Sequence, residues 1–326
     1  MTETNNEIRI TVHKDANAET TPSKKQLLGY IKFMKKQGSL EITNFNARLA
    51  VDNLNLGGTT KRDNPNSAGK HGEGFKIAAL VMRRCNHVVQ IECNSYIWRF
   101  RLHGRFPKTL YCRLSQKNPE MVEKMKRNFA SREERGLLRA LTANIWEDVT
   151  VKIWKGKGQY GKIIEEADFR SWLPVALDIN GPSPELLIQT EAGDLILDSN
   201  FRGRVYLKGL RVAGHGVDGR MFVYGYNFAK GHINRDRERL ARSSQEARDL
   251  ASIWEQAVNQ HGDSLMDKYT DLFRENERCA DIAGAEENIS RSLAEAMWDR
   301  LRRKAPNKFF YCIDEISRED PTDMVS

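Results

Sequence analysis

The residues of this chain best placed to do chemistry lie in Gly69-Lys-His-Gly-Glu-Gly-Phe-Lys76, where three glycines fall within six positions ahead of an apolar run. Without a Cβ at those positions, backbone can close around a bulky anion. The run itself, Phe75, Ile77, Ala78, Ala79, Leu80, Val81 and Met82, has so few polar residues that it predicts a buried helix. A helix start offers unpaired N–H groups and the positive end of its dipole, the two features that bind phosphate. Lys70, His71 and Lys76 add positive charge around it. Taken alone, Gly-x-x-Gly-x-Gly also fits ordinary turns and helix caps. It is not a Walker A loop, because the Gly-Lys-Ser/Thr ending is missing. The polar run Thr59 to Ala68 ahead of it replaces the strand that a dinucleotide fingerprint needs. Glu73 either orients a water or pairs locally with Lys70 or Lys76; nothing in its spacing aims it at a γ-phosphate. His71 reads as a loop residue touching phosphate.

These residues need elements to position them. Glu7-Ile-Arg-Ile-Thr-Val-His13 alternates polar and apolar residues, the period of a half-buried strand. Gln26 to Phe33 fits strand or helix, Leu40 to Phe45 a strand, and Ala50 to Leu56 one helical turn or two. Residues 57–69 are rich in Gly, Thr, Asn and Asp and predict a mobile loop. Behind the glycines, His87 to Cys93 and Tyr96 to Leu102 predict a hairpin turning at Asn94-Ser95. A charged helical insert is expected over 119–143, and Val149 to Trp154 reads as a strand. From Asp168 the texture changes. Leu195 to Leu197, Gly203 to Val212 and Met221 to Tyr226 predict a second, smaller sheet. Leu250, Ile253, Trp254, Ala257 and Val258 then form the stripe of an amphipathic helix. The expected fold class is α+β: a two-layer α/β sandwich with a mixed sheet over 1–160, a smaller α/β domain over 161–245, and a helical region over 246–326.

The 326 residues are 40% hydrophobic and 29% charged, with net charge +8 and a pI near 9.2. This balance suits phosphate-bearing partners, nucleotide or nucleic acid, and equally a basic soluble surface. The five cysteines are scattered without C-x-x-C or a partnering histidine pair, which argues against a zinc site and a disulfide framework. No eighteen-residue apolar run occurs, and the polar start Met1 to Asn6 does not read as a signal peptide. An intracellular protein, cytoplasmic or nuclear, with no membrane partner is expected.

From Leu40 to Phe100 the chain resembles the GHKL superfamily of ATPases, which includes gyrase B, MutL, the ninety-kilodalton heat-shock chaperone, MORC proteins and histidine kinases. Gly69-Lys-His-Gly-Glu-Gly-Phe75 matches the family loop that wraps the triphosphate, and Leu56-Gly-Gly-Thr-Thr-Lys61 looks like the signature that begins the lid. Gly203 to Gly209 and Tyr224 to Phe228 resemble a transducer domain. The chain is also similar to GHKL-type proteins of fungi and phages.

The resemblance implies ATP and Mg2+ as cofactors. Gly58, Thr59, Thr60 and Lys61 would lie in the lid, and Gly69, Lys70, His71, Gly72, Glu73, Gly74, Phe75 and Lys76 in the cradle. Asn44 and Asn46 stand where an adenine-binding Asp-x-Gly is expected; an amide can bond the adenine edge, or the two residues serve turn chemistry. Thr150 stands where a Gly-Thr pair would sit. Lys208, with Arg235 or Arg237 as alternates, is the candidate to reach the γ-phosphate. The Glu-x-x-x-Asn helix that supplies the family's water-activating carboxylate and magnesium ligand is missing, since Glu3 to Glu7 does not read as a helix. The function implied is an ATP-binding conformational switch with weak or absent hydrolysis. The alternatives are a scaffold that has lost its ligand, or a nucleic-acid-binding protein using Arg83-Arg84 and other basic groups. A homodimer is the assembly the resemblance allows.

Overall fold

Alternation of apolar and polar residues builds the first sheet row by row. Ile8, Phe33, Leu40, Ile153, Val89 and Phe100 lie side by side across successive strands, all directed to one face. The strands are β1 (Thr2–Glu3), β2 (Glu7–His13), β3 (Leu27–Met34), β4 (Ser39–Asn44), β5 (His87–Cys93), β6 (Tyr96–His103), β7 (Thr109–Gln116) and β8 (Val149–Lys155). Their spatial order is β1-β2-β3-β4-β8-β5-β6-β7. In this computed structural model the described residues are 1–14, 26–55, 73–105, 109–137, 139, 141–157, 160–212, 219–231, 243–275 and 278–304. Contacts divide the chain into two compact units, Met1–Gly181 and Pro182–Ser326.

Every described pairing in the first sheet is antiparallel, which corrects the expectation of a mixed sheet. β8 inserts between β4 and β5 and runs against both, so each junction is antiparallel. The predicted hairpin is present. Asn94 and Ser95, at φ 49° and 65°, form a tight turn whose twist matches the strands.

Two helices cover the apolar face. α1 (Gly74–Arg84) packs on β5 and β6 through Ala79, Phe75 and Met82, around Val89, Ile91, Trp98 and Phe100. It is not the buried helix that its composition predicts: Ile77 is 53% and Val81 47% exposed. A helix lying on a sheet hides one stripe, and this one carries apolar residues well beyond that stripe. α3 (Glu166–Trp172) is too short to persist alone and is held by packing. Its Phe169 ring stacks on Phe33 at 4.5 Å, with Ile164 and Leu173 beside it. The charged insert forms α2 (Pro119–Glu134), started by Asn118, whose side chain accepts from Glu120 N and Met121 N.

The second unit holds β9 (Leu187–Gln189), β10 (Gly193–Ile196), β11 (Val205–Leu207), β12 (Leu210–Val212) and β13 (Gly225–Phe228), in the order β12-β11-β13-β10-β9. β11 and β13 pair in parallel and the others antiparallel. The subsequent helices are α4 (Ser243–His261), α5 (Asp263–Glu275), α6 (Ala285–Asn288) and α7 (Arg291–Lys304). The predicted stripe of α4 closes on this sheet: Ile253, Trp254 and Ala257 share one core with Leu195, Tyr226 and Phe228.

Candidate functional site

α1 begins at Gly74, where the glycine string ends. Its first residue is preceded by Glu73 in helical backbone, φ −103° and ψ −18°, and the Glu73 side chain makes no capping bond to the first turn. The eleven-residue helix thus directs a dipole toward the string, with Arg83 and Arg84 at the opposite end, where cations suit it. Phe75 fixes the helix start in a cluster with Leu49, Leu54, Val149 and Val151. Lys76 is engaged by protein. Its Nζ donates to Asn53 O at 2.9 Å and to Asn55 O, tying α1 to the 3-10 turn Val51–Leu54. Gly58, Thr59, Thr60, Lys61, Gly69, Lys70, His71 and Gly72, with the rest of the expected lid, lie outside the described residues. So do Arg235 and Arg237.

Asn44 ends β4, exposed, between Gly29 and Val149. By register it shares the face of Val149, the face that α1 covers. Asn46 adopts the left-handed conformation, φ 50°, and its backbone N–H donates to Asp148 Oδ1 at 3.0 Å. This is turn chemistry, which short polar side chains tolerate best. Thr150 lies between Val149 and Val151 and therefore points to the other face. Its hydroxyl is 3.1 Å from that of Thr43, both buried. The fold brings Asn44 and the start of α1 to one side of the sheet and sets Thr150 on the opposite side.

Sequence reasoning missed Asp148. It is completely buried and accepts three donors: Asn46 N, Asn144 N at 2.6 Å, and Arg139 Nη2. The Arg139 guanidinium lies 3.7 Å above the Phe45 ring and 5.5 Å from that of Phe129. The only signal in the sequence is the acidic pair Glu147-Asp148 beside the β-branched run Val149-Thr-Val151, which also fits surface residues.

Lys208 does not stand on a strand. It occupies a two-residue turn with Gly209, at φ 52° and 75°, between the closing pair Leu207 and Leu210. The turn is fastened to β13 by Lys208 N donating to Phe228 O and Gly209 N donating to Asn227 Oδ1. The segment Glu3 to Glu7 is β1, a turn and the start of β2, with no helix. Glu3 pairs with Lys35 and with Arg170 at 2.6 Å, and Glu7 pairs with Arg9. Cys93, Cys112 and Cys279 are free thiols, pushed up to about 11 by burial, and so lack the thiolate that nucleophilic chemistry requires. Among the described residues no group of three His, Cys, Asp or Glu is placed to hold a metal, and no helix is long and apolar enough to cross a membrane. Neither protein-family models nor curated proteins gave a match to this chain.

Proposed function

We propose that the chain binds ATP through the glycine string at 69–75 and the first turn of α1. The observation that carries this reading is the junction at Gly74: a helix of eleven residues starts where the string ends, and the side chain of its N-cap residue, Glu73, makes no capping bond to the first-turn amides. Such amides suit a phosphate oxygen. Asn44, on the same face, is the residue suited to a base edge. Lys76 holds the approach to the string in place through Asn53 and Asn55.

For Mg2+ the described residues fit poorly. In GHKL-type proteins the Asn ligand comes from a helix; here Thr2–Glu3 and Glu7–His13 are strands, and the Glu3 and Glu7 carboxylates are engaged by Lys35, Arg170 and Arg9. The same ion pairs leave neither Glu3 nor Glu7 free to activate water. The reading is a nucleotide-binding protein with weak or absent hydrolysis, in which bound nucleotide biases the second unit. A ligand biases a conformation only through differential affinity for its states.

Thermal unfolding with and without nucleotide tests this. A ligand at a hundred times its dissociation constant stabilises the folded state by about 2.7 kcal/mol, enough to raise Tm by several degrees. An unchanged Tm in millimolar ATP would favour the scaffold that has lost its ligand.

A further inference from the structure

The sheet face turned away from α1 and α3 is polar across its width. Lys32, Glu41, Lys152, Gln90, Arg99 and Arg113 lie in register on successive strands. One step along, Val88 faces Trp154 and Arg101 faces Tyr111. Two cavities open on this face and share Trp154, one of about 560 Å³ and one of about 590 Å³. The first is lined by Lys32, Lys152 and Lys155, the second by Arg83, Arg99, Arg101 and Lys157.

The charge of the second cavity is unbalanced. No carboxylate occurs among its described lining residues, and no described acidic group pairs with Arg101 or Lys157. In the first cavity Glu41 is already engaged by Lys32 and Tyr30, and Lys152 is paired with Glu92 at 3.0 Å. Arg83 reaches from the end of α1 to donate to His87 O at 2.6 Å, and its Nε is buried without a hydrogen-bond partner. Burial, and then the positive charge of Arg101, hold the Arg83 guanidinium below its ordinary pKa. A cluster of like charges at the end of a sheet is unfavourable unless an anion completes it.

The aromatic groups decide which anion. Trp154 stands between the cavities, Tyr160 is 73% exposed at the rim of the second, and Tyr111 is 55% exposed beside Arg101. Unpaired bases stack on such rings while a cationic groove follows the backbone, and a base-paired duplex cannot offer its ring faces. From β3 to β6 there are four inter-strand steps of about 4.8 Å, so the path runs roughly 19 Å, the reach of a few nucleotides.

We propose that this face binds a short stretch of single-stranded nucleic acid, its phosphates along Arg99, Arg101 and Lys157 and its bases against Trp154 and Tyr160. The site lies away from the first turn of α1 and meets that helix only at its far end, through Arg83, and it does not depend on the nucleotide reading.

The test is fluorescence anisotropy of a labelled ten-nucleotide deoxythymidine strand with the full chain, without ATP, across a salt series. Wild type should bind with an affinity that falls steeply with salt. Arg99→Ala with Arg101→Ala should weaken binding at least tenfold and flatten the logarithmic salt slope by about 1.4, two contacts at roughly 0.7 each. Tyr160→Ala, at a residue too exposed to threaten folding, should cost about tenfold with the salt slope unchanged, as loss of stacking would. Unchanged affinity in the arginine double variant with an unchanged circular dichroism spectrum would overturn the proposal. So would equal affinity for a ten-base-pair duplex, or complete displacement of the strand by anionic phospholipid vesicles at equal phosphate concentration.

Discussion

Asp148 gathers two backbone amides and a guanidinium in a place that water does not reach. Removing one member of a buried charge pair leaves the other uncompensated, a loss of about 3–5 kcal/mol. Asp148→Ala should therefore destabilise the first unit by about 3 kcal/mol in urea unfolding. Arg139→Ala should cost less, because the carboxylate keeps its two N–H donors. A loss below about 1 kcal/mol for Asp148→Ala would show that water reaches the carboxylate after all. Tyr226 plays a comparable role in the second unit: its hydroxyl donates to Asp281 at 2.6 Å and accepts from Trp254 Nε1 at 2.9 Å. Tyr226→Phe strands the Trp254 N–H, removes one of three donors to Asp281, and should lower stability by about 2 kcal/mol. At this scale the sequence is legible where backbone chemistry is local. The turn at Asn94-Ser95 and the alternative of turn chemistry at Asn46 can both be read from residue type. The fate of Lys76, Thr150 and Asp148 cannot, since each depends on a partner brought from a distant strand or loop. Lys208 reads as a strand residue because a turn of only two residues interrupts an otherwise continuous β-like run.

Among elements, α5 and α7 are joined by charge at their solvent edge. Arg300 donates to Asp263 and Asp267, and Lys304 pairs with Asp267 and Asp271. Hydrogen bonds from Arg300 and then Lys304 hold the Asp267 carboxyl well below its usual range. A carboxylate whose folded pKa is depressed stabilises the fold above its unfolded pKa of about 4, and that contribution fades as pH falls through the folded value. The stability difference between wild type and Asp267→Asn should thus be constant near neutrality and shrink below about pH 4. The Asp267 side chain is 38% exposed, so the plateau should be no more than about 1 kcal/mol. A difference that grows with acid would contradict the ion pairs. Strands with clean alternation, β2 and β4 to β6, are legible element by element. β7 is not, because Thr109 to Gln116 lies at the sheet edge and only partly buries its apolar positions. Strand direction is illegible too: residue type does not record that β8 slips between β4 and β5. The exposed Ile77 and Val81 show the limit of composition, which reports how apolar a helix is and not how much of it the fold covers.

On the scale of the whole molecule, the two units have separate cores, Trp98 and Phe33 in one and Trp254 and Tyr226 in the other. Hydrogen exchange read by mass spectrometry should show Asp148→Ala accelerating β4 and β8 while β10 and β13 keep their protection; equal acceleration in both units would mean that they unfold together. ATP should protect the start of α1 and the segment entering it. On the proposed function, backbone amides around Gly72 and Gly74 hold a polyphosphate. Isothermal titration of ATP into the wild type and into Gly72→Val with Gly74→Val decides this. Saturable heat in the wild type, lost in a variant that keeps its circular dichroism spectrum, is the result expected. No heat in the wild type, or equal heat in both, would contradict it.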